Sequence, residues 1–177
     1  MSLELVLEDR FVDLIQEAFD VAIRITSLED SSLIARRLGS FRIVTCASPE
    51  VISQYGEVKT PGDLTDRPCI IDNNQKSRQN WNYFDQGKRV TIPVKGRVET
   101  NSPQAVRLGA LARLGFARTL HMLVAEDLKE GRLVQVLDEF EADDMGIFVV
   151  YANRRHLSSK IRAFVDYMSK NYQRNGD

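Results

Sequence analysis

Residues 3–25 read LELVLEDRFVDLIQEAFDVAIRI, and this stretch decides the predicted fold class. Residues 3–8 place apolar side chains at alternate positions, which is typical of a β-strand with one buried face. Asp9 can cap a following helix, in which four apolar residues share one face: Phe11, Leu14, Ile15 and Ala18. Residues 19–25 are rich in strand-forming side chains and predict a second strand. A strand, a short helix and a strand in succession predict a βαβ unit, and therefore a parallel sheet.

Strand and helix patterns alternate through the rest of the chain. Helices are predicted to begin at Ser48-Pro49, Thr60-Pro61, Asn101-Ser102-Pro103 and His121, and after Ser158. Glycine is expected to end three of them, at Gly56, Gly115 and Gly131. Strands are predicted at residues 33–47 with a break at Gly39-Ser40, and at residues 69–71, 81–84, 89–99, 116–118, 132–137 and 147–151. This alternation predicts the α/β class.

The composition is that of a globular protein. The 177 residues suffice for one large domain or two small ones, and 43% hydrophobic residues are too many for a disordered chain. Because 24 basic and 25 acidic residues nearly cancel, a dedicated nucleic-acid binder is disfavoured. The sequence has neither the roughly 18-residue apolar run of a membrane span nor a secretory signal. We therefore expect a cytoplasmic protein without membrane contact, in which Cys46 and Cys69 are reduced, buried thiols.

Catalytic and metal-binding motifs do not occur in the sequence. The two histidines, His121 and His156, have no nucleophile motif beside them, and GxSxG, HExxH and P-loop patterns are missing. We expect His156 at the surface and His121 in capping or packing. The acidic residues between 138 and 144 lack the glycine-punctuated spacing of a calcium loop and predict a solvated turn. The expectation is a protein without enzyme activity, cofactor or metal.

Polar helix starts are the recurrent feature that could bind a ligand. Ser48, Thr60 and the pair Asn101-Ser102 each precede a helix whose first N–H groups and positive dipole end suit an anion. Plain capping is the favoured explanation of any one of these starts. Thr26-Ser27 follows a predicted strand, and open α/β sheets bind ligands at the carboxyl ends of their strands. Several such ends in one place would form a cleft for a small molecule.

Many segments, taken in order, resemble the effector-binding domain of LysR-type transcriptional regulators. They include CASPE at residues 46–50, TPGDL at residues 60–64 and GRLVQVL at residues 131–137. The remaining matches are residues 5–15, 19–25, 32–39, Trp81, 100–102, 124–128, 150–155 and 161–166. Each segment alone is weakly specific, whereas their joint occurrence in this order over nearly the whole chain is a specific signal.

The resemblance implies two Rossmann-like subdomains, as in type 2 periplasmic binding proteins, with a ligand cleft between them. The first would comprise residues 1–44 and 149–177, and the second residues 45–148. The implied ligand is a small-molecule effector, and the polar helix starts favour an anion such as a carboxylate. The residues expected to bind it are Thr26, Ser27, Ser48, Asn101 and Ser102. The family also implies homodimers and tetramers, and DNA binding through an N-terminal winged helix-turn-helix.

Two parts of the family pattern have no counterpart in this sequence, namely the winged helix-turn-helix and the first strand and helix of the effector domain. The resemblance places the missing strand between residues 3–7 and residues 19–25, so that its loss would leave strand edges unpaired. Three arrangements stay open: direct pairing of the two remaining strands, a strand from a second copy, or partial disorder of the first forty residues. We expect self-association through a partner chain.

The favoured interpretation is the effector-sensing domain of a LysR-family regulator that does not bind DNA specifically on its own. A free-standing solute-binding protein of the same fold is the alternative, and it would need an export signal or a lipid anchor. An enzyme on a Rossmann-like fold would need a nucleophile–base set or a nucleotide fingerprint. Neither requirement is visible in the sequence.

Overall fold

The computed structural model describes residues 2–10, 12–26, 33–75, 77–141, 145–152 and 158–172. The chain divides into two compact units, the first comprising residues 1–41 and 144–177 and the second residues 42–143. The subdomain boundaries predicted from the sequence, after residues 44 and 148, stay a prediction. Strands and helices occur together in both units, which confirms the α/β class.

Ten strands and four α-helices occur in the described residues. The strands are β1 (Ala22–Thr26), β2 (Leu33–Phe41), β3 (Ile43–Ala47), β4 (Pro68–Asp72), β5 (Asn80–Asp85), β6 (Lys88–Pro93), β7 (Lys95–Thr100), β8 (Phe116–Leu120), β9 (Val134–Val136) and β10 (Met145–Ala152). The α-helices are α1 (Pro49–Tyr55), α2 (Pro103–Leu111), α3 (His121–Lys129) and α4 (Ser159–Tyr172). Short 3₁₀ helices occupy Pro61–Leu64, as predicted, and Asp138–Phe140.

The sheet of the first unit has three strands in the order β1-β10-β2, and both neighbours pair antiparallel with β10. α4 covers one face of this sheet, where Val165 packs with Ile147 and Val149. Leu14 packs on the other face against Phe148 and Val150. The buried stripe of α4 therefore stabilises the unit by removing apolar side chains from water.

The N-terminal βαβ prediction is wrong. Residues 2–9 form no strand, and a turn at residues 14–18 takes the place of the predicted helix. Asp13 holds this turn, because its carboxylate accepts a hydrogen bond from the backbone N–H of Ile15 at 2.9 Å. Leu14 is buried whereas Ile15 is 66% exposed, so tertiary packing uses only part of the predicted apolar face. β1 pairs antiparallel with β10, and residues 2–9 do not pair with β1.

Residues 33–47 are extended as predicted, but the break lies at Arg42 and not at Gly39-Ser40. β2 runs through Gly39 because the missing side chain makes room for an aromatic ring. A Cβ atom at Gly39 would lie 2.9 Å from the ring of Tyr172 in α4. The glycine therefore serves helix packing and does not end the strand.

The second unit contains a five-stranded sheet in the order β7-β4-β8-β3-β9. β4 is parallel to β7 and β8, whereas β3 runs antiparallel to β8 and β9. One face packs with the buried Trp81 and Tyr83 of the β5–β6 hairpin. Val106 of α2 and Val124 of α3 pack on the other face. Both faces of the sheet are thus covered.

The predicted strand at residues 89–99 is two strands. β6 pairs with β5 to complete the predicted hairpin, and β7 pairs in parallel with β4. Between them Val94 is 4% exposed, and its N–H donates to the carbonyl of Gln79 at 2.8 Å. Burial of Val94 therefore turns the chain out of the hairpin and into the main sheet.

The capping residues Ser48 and Gly56 predicted both ends of α1 correctly. The Ser48 hydroxyl accepts a hydrogen bond from the N–H of Val51 at 3.3 Å, and Gly56 follows the helix with φ of 83°. Gly131, with φ of 72°, follows α3 as predicted. These boundaries depend on a few adjacent residues, which is why local sequence is sufficient to locate them.

The predicted end of α2 at Gly115 is wrong, because the helix already ends at Leu111. Arg113 takes the left-handed conformation that was expected of the glycine, with φ of 65°. Gly115 instead allows a close approach of two chain segments, since a Cβ atom there would lie 2.3 Å from the carbonyl oxygen of Pro68. Only glycine fits beside the start of β4.

Candidate functional site

Strand directions in the second unit decide which predicted binding residues share one edge of the sheet. β4 and β7 run parallel with Asp72 opposite Thr100, so both end at the same edge. β8 is parallel to β4 and ends there too, at Leu120. β3 begins at this edge, because Ile43 lies opposite Leu120, and ends at the other edge. We call the edge formed by residues 72–74, 100–102 and 119–121 the carboxyl edge.

Asn101 and Ser102 lie at the carboxyl edge, whereas Ser48 follows β3 at the opposite edge. The register therefore does not bring Ser48 together with Asn101 and Ser102. Ser48 is 2% exposed and its hydroxyl caps α1, so its local role is the plain capping that the sequence also allowed. The antiparallel direction of β3 causes this separation.

The other residues that the sequence analysis singled out do not lie together in one place. Thr26 is the last residue of β1 in the first unit, and Ser27 lies outside the described residues. His121 begins α3 at the carboxyl edge, where its backbone N–H donates to the carbonyl of Arg42 at 2.8 Å. His156 is outside the described residues.

α2 and α3 both begin at the carboxyl edge, and neither has a side-chain cap. The N-cap residues Ser102 and Leu120 accept no side-chain hydrogen bond from the first turn. By contrast, Ser48 caps α1, and Ser158 accepts the N–H of Ile161 at 3.3 Å before α4. Uncapped N–H groups and the positive end of the helix dipole attract anions. Two such helix ends share the carboxyl edge.

Two buried polar atoms at the carboxyl edge have no hydrogen-bond partner within the described part of the chain: Asn73 Oδ1 and Thr119 Oγ1. Asn73 follows β4, and its backbone N–H donates to the carbonyl of Thr100 at 2.7 Å. Thr119 is 3% exposed and lies opposite Val44, on the sheet face that α2 and α3 cover. An unpaired buried polar group costs about 1–3 kcal/mol. A ligand that donates hydrogen bonds could recover this free energy.

Side chains fix the loops of the carboxyl edge. The Asp72 carboxylate accepts the N–H of Asn74 at 2.9 Å, and the Asn74 amide donates to the carbonyl of Asn101. The Thr100 hydroxyl accepts the N–H of Ser102 at 3.2 Å. The positions of Asn73 and Ser102 are therefore set before any ligand binds, which lowers the entropic cost of binding.

A buried ion pair in the same unit was missed by the sequence analysis. Arg118 and Glu141 have side chains that are only 7% and 4% exposed, and they lie 2.8 Å apart. The Thr45 hydroxyl donates to Glu141 at 2.5 Å, and Arg118 lies 5.1 Å from the ring centre of Tyr83. Burial raises the pKa of Glu141, and the charge of Arg118 opposes that rise. The prediction of a solvated acidic turn is thus wrong at Glu141, because its carboxylate lies inside the core.

A second charged cluster joins α2 to α3. The fully buried carboxylate of Asp127 accepts hydrogen bonds from Arg107 at 2.5 Å and from Arg132 at 2.8 Å. The hydrogen bond from Arg107 is the main cause of a lowered pKa of Asp127, with a further contribution from Arg132. This cluster positions the two helices whose first turns lie at the carboxyl edge.

The cysteines are buried, as predicted, and both are free thiols. Burial raises the pKa of Cys46 and of Cys69 to about 12, so neither is a reactive thiolate at neutral pH. In the described part of the chain, no group of three or more side chains could hold a metal ion. The described helices are too short or too polar to cross a membrane.

The sequence matches the family model of the LysR substrate binding domain over residues 1–173. The chain therefore belongs to this family, which confirms the resemblance. The regulator DmlR of Escherichia coli K12 is 33% identical over 172 residues, which are 95% of this chain and 55% of DmlR. An HTH-type transcriptional regulator of Haemophilus influenzae is 31% identical over 161 residues, 91% of this chain and 56% of that protein. The chain spans little more than half the length of these relatives.

Solved regulatory domains have the same fold. The regulatory domain of an AphB variant from Vibrio vulnificus has a TM-score of 0.78 and 28% identity, covering 96% of this chain and 83% of that one. The regulatory domain of CrgA from Neisseria meningitidis has a TM-score of 0.72 and 25% identity, covering 89% of this chain and 78% of that one. LysR-type regulators bind small-molecule effectors and oligomerise. The family model and these relatives show that the chain is an effector-sensing domain, and they do not favour a free-standing solute-binding protein.

Proposed function

We propose that this chain controls transcription as the effector-sensing part of a LysR-type regulator and binds a small organic anion at the carboxyl edge. The observation that carries this site is the coincidence of two uncapped helix starts with two unpartnered buried polar atoms. Ser102 and Leu120 are the N-cap residues of the two helices, and Asn73 and Thr119 provide the polar atoms. DNA binding is assigned to a helix-turn-helix outside residues 1–177.

The chemistry of the edge favours a carboxylate that also carries a hydrogen-bond donor. The first turns of α2 and α3 offer N–H groups and a positive dipole end to the carboxylate. Asn73 Oδ1 is an acceptor only, and the Thr119 hydroxyl can accept as well as donate. A hydroxyl or amino group on the ligand would therefore complete the set of hydrogen bonds.

The proposed effector site uses Asn101 and Ser102 of the second unit. Ligand binding by Thr26 and Ser27 stays a prediction from the sequence. Ser48 is left out because it follows β3 at the opposite edge of the sheet. The full regulator is proposed to be cytoplasmic and to act as a homodimer or tetramer. Enzyme activity has no part in this proposal, in line with relatives that are transcriptional regulators.

Calorimetry with aromatic and short aliphatic carboxylates, hydroxy acids and their neutral amides tests the site. We expect carboxylates to bind more tightly than their amides. Ser102→Ala, Asn73→Ala and Thr119→Val should each weaken binding by about 10-fold to 100-fold, because each removes a hydrogen bond to the ligand. A preference for neutral or cationic ligands would contradict the anion site.

Ser48→Ala is the matched control, since it removes the same hydroxyl from a helix start at the other edge. It should leave affinity unchanged while lowering the stability of the unit by about 1 kcal/mol through the lost cap. Equal loss of affinity in Ser48→Ala and Ser102→Ala would show that the effects come from stability and would overturn the proposed location.

A further inference from the structure

The chain passes between the two units twice, once between residues 41 and 42 and once between residues 143 and 144. We call residues 42–45 the outgoing connection and residues 138–141 the returning connection. Both segments belong to the second unit, and each lies next to one of the two crossing points. A bond between them would tie together the two places at which the chain enters and leaves this unit.

A buried hydrogen bond joins the two connections. The Thr45 hydroxyl donates to the Glu141 carboxylate at 2.5 Å, although the two residues are 96 positions apart in the sequence. Thr45 is fully buried and the Glu141 side chain is 4% exposed, so water does not compete for this bond. Arg118, which lies opposite Thr45 in the sheet, donates to the other carboxylate oxygen at 2.8 Å. Both oxygens of Glu141 are therefore held by side chains of β3 and β8.

The chemistry of this cluster fixes the direction of each hydrogen bond. An ionised carboxylate only accepts, so the Thr45 hydroxyl must donate its single proton to Glu141. Tyr83 Oη lies 2.9 Å from the Thr45 hydroxyl oxygen and must then donate to it. Burial raises the pKa of Tyr83, which therefore keeps the proton for this bond. The row Tyr83–Thr45–Glu141 has no spare donor, so the loss of the Thr45 hydroxyl would leave two buried groups without that partner.

A second bond between the same connections is exposed. Arg42 and Asp138 form an ion pair in which the side chains are 47% and 67% exposed. Exposed pairs contribute little because water and salt screen the charges. The exposed pair therefore provides a matched comparison for the buried bond.

We propose that the Thr45–Glu141 hydrogen bond is a latch that makes the outgoing and returning connections open together and not one at a time. A conformational change that passes along the chain from one unit to the other would then pass along both connections at once. The latch goes beyond the proposed function and does not depend on it, because neither Thr45 nor Glu141 belongs to the proposed effector site.

Hydrogen exchange in the 177-residue chain tests the latch. The N–H groups of Phe140 and Glu141 report on the returning connection, since both are hydrogen-bonded in its 3₁₀ turn. The N–H groups of residues 43–45 report on the outgoing connection, and those of α1 report on unfolding of the second unit as a whole. In the parent chain we expect the two connections to have the same opening free energy. Different opening free energies would overturn the proposal without any substitution.

Thr45→Val removes the donor on one connection and should speed exchange on the other. We expect exchange at Phe140 and Glu141 to become about 10-fold to 100-fold faster, with a smaller rise in α1, because a hydrogen bond to a charged group is lost. Thr45→Ser keeps the hydroxyl and should keep exchange slow. An equal rise in α1 would indicate a general loss of stability, and no rise at Phe140 and Glu141 would indicate independent connections. Either result would overturn the proposal.

Glu141→Gln tests the same bond from the other side and should speed exchange at residues 43–45. Asp138→Asn is the matched control, since it makes the same change from acid to amide in the exposed pair of the same two connections. It should leave exchange at residues 43–45 unchanged. Equal rises in Glu141→Gln and Asp138→Asn would show that the buried bond is not the latch.

Discussion

At the scale of single residues, the Arg118–Glu141 pair shows how tertiary structure changes the role of a charge. In the sequence Glu141 is one of several acidic residues that predict a solvated turn. In the structure its carboxylate accepts hydrogen bonds from Arg118 at 2.8 Å and from Thr45 at 2.5 Å. Taking both charges out of water is costly, and the pair is stable only because each partner compensates the other.

Replacing one member of this pair should therefore cost more than replacing both. Glu141→Leu leaves Arg118 buried without its counter-ion, and we expect a loss of about 3–5 kcal/mol in the free energy of unfolding. Glu141→Leu combined with Arg118→Met should recover most of that loss, because both buried charges are gone. Urea unfolding of the single and double variants measures the difference. Additive losses in the double variant would contradict a compensated pair.

At the scale of elements, Asp127 ties α3 to α2 through Arg107, and it positions the two helix starts at the carboxyl edge. The pKa of Asp127 is lowered in the folded protein, chiefly by the hydrogen bond from Arg107. The contribution of Asp127 to stability is therefore present at a pH above the pKa of its carboxyl group in the unfolded chain, which is close to 3.8. That contribution is lost as the pH falls through the lower folded pKa.

Asp127→Asn should destabilise the protein by about 1–3 kcal/mol at neutral pH, because it weakens hydrogen bonds to charged groups. The difference in stability between the variant and the parent should shrink as the pH falls below the pKa of the free carboxyl group. Thermal unfolding at several pH values measures this trend. Asp66→Asn is the control, since its pair with Lys95 is exposed and should contribute little. A difference that stays constant with pH would rule out the charge of Asp127 as its cause.

At the scale of the whole molecule, the charge balance predicts that residues 1–177 do not read DNA. The chain carries a net charge of −1. On α4, the basic residues Lys160, Arg162 and Lys170 are accompanied by Asp166, which pairs with Arg36 at 2.7 Å. Because the basic and acidic residues nearly cancel, the counter-ion release that drives specific and non-specific DNA binding should be small.

A gel shift with promoter DNA at moderate salt should accordingly give no sequence-selective complex with this chain alone. A helix-turn-helix domain joined to its N-terminus should provide binding, and a mixed-sequence duplex serves as the control. Nanomolar, sequence-selective binding by residues 1–177 would contradict the prediction and locate a DNA-binding surface inside the effector-sensing domain.

The sequence by itself determined the α/β class, the family and several helix boundaries. Ser48 before α1, Ser158 before α4 and Gly131 after α3 were predictable because capping depends on residues within one turn. The helix start at Asn101-Ser102 was found by the same local signal. The family followed from many short motifs in a fixed order, which needs no knowledge of their contacts.

Tertiary structure alone decided which of these residues share one edge of the sheet. The direction of β3 separates Ser48 from Ser102, and it is set by hydrogen bonds to β8, a strand more than sixty residues away in the sequence. Asn73 and Thr119 gave no signal in the sequence, since an unpartnered polar atom becomes visible only when its surroundings are packed. Periodicity and capping report on neighbours along the chain, whereas strand direction and burial depend on contacts between distant segments. For that reason the sequence could predict most of the elements of this protein but not the edge at which they meet.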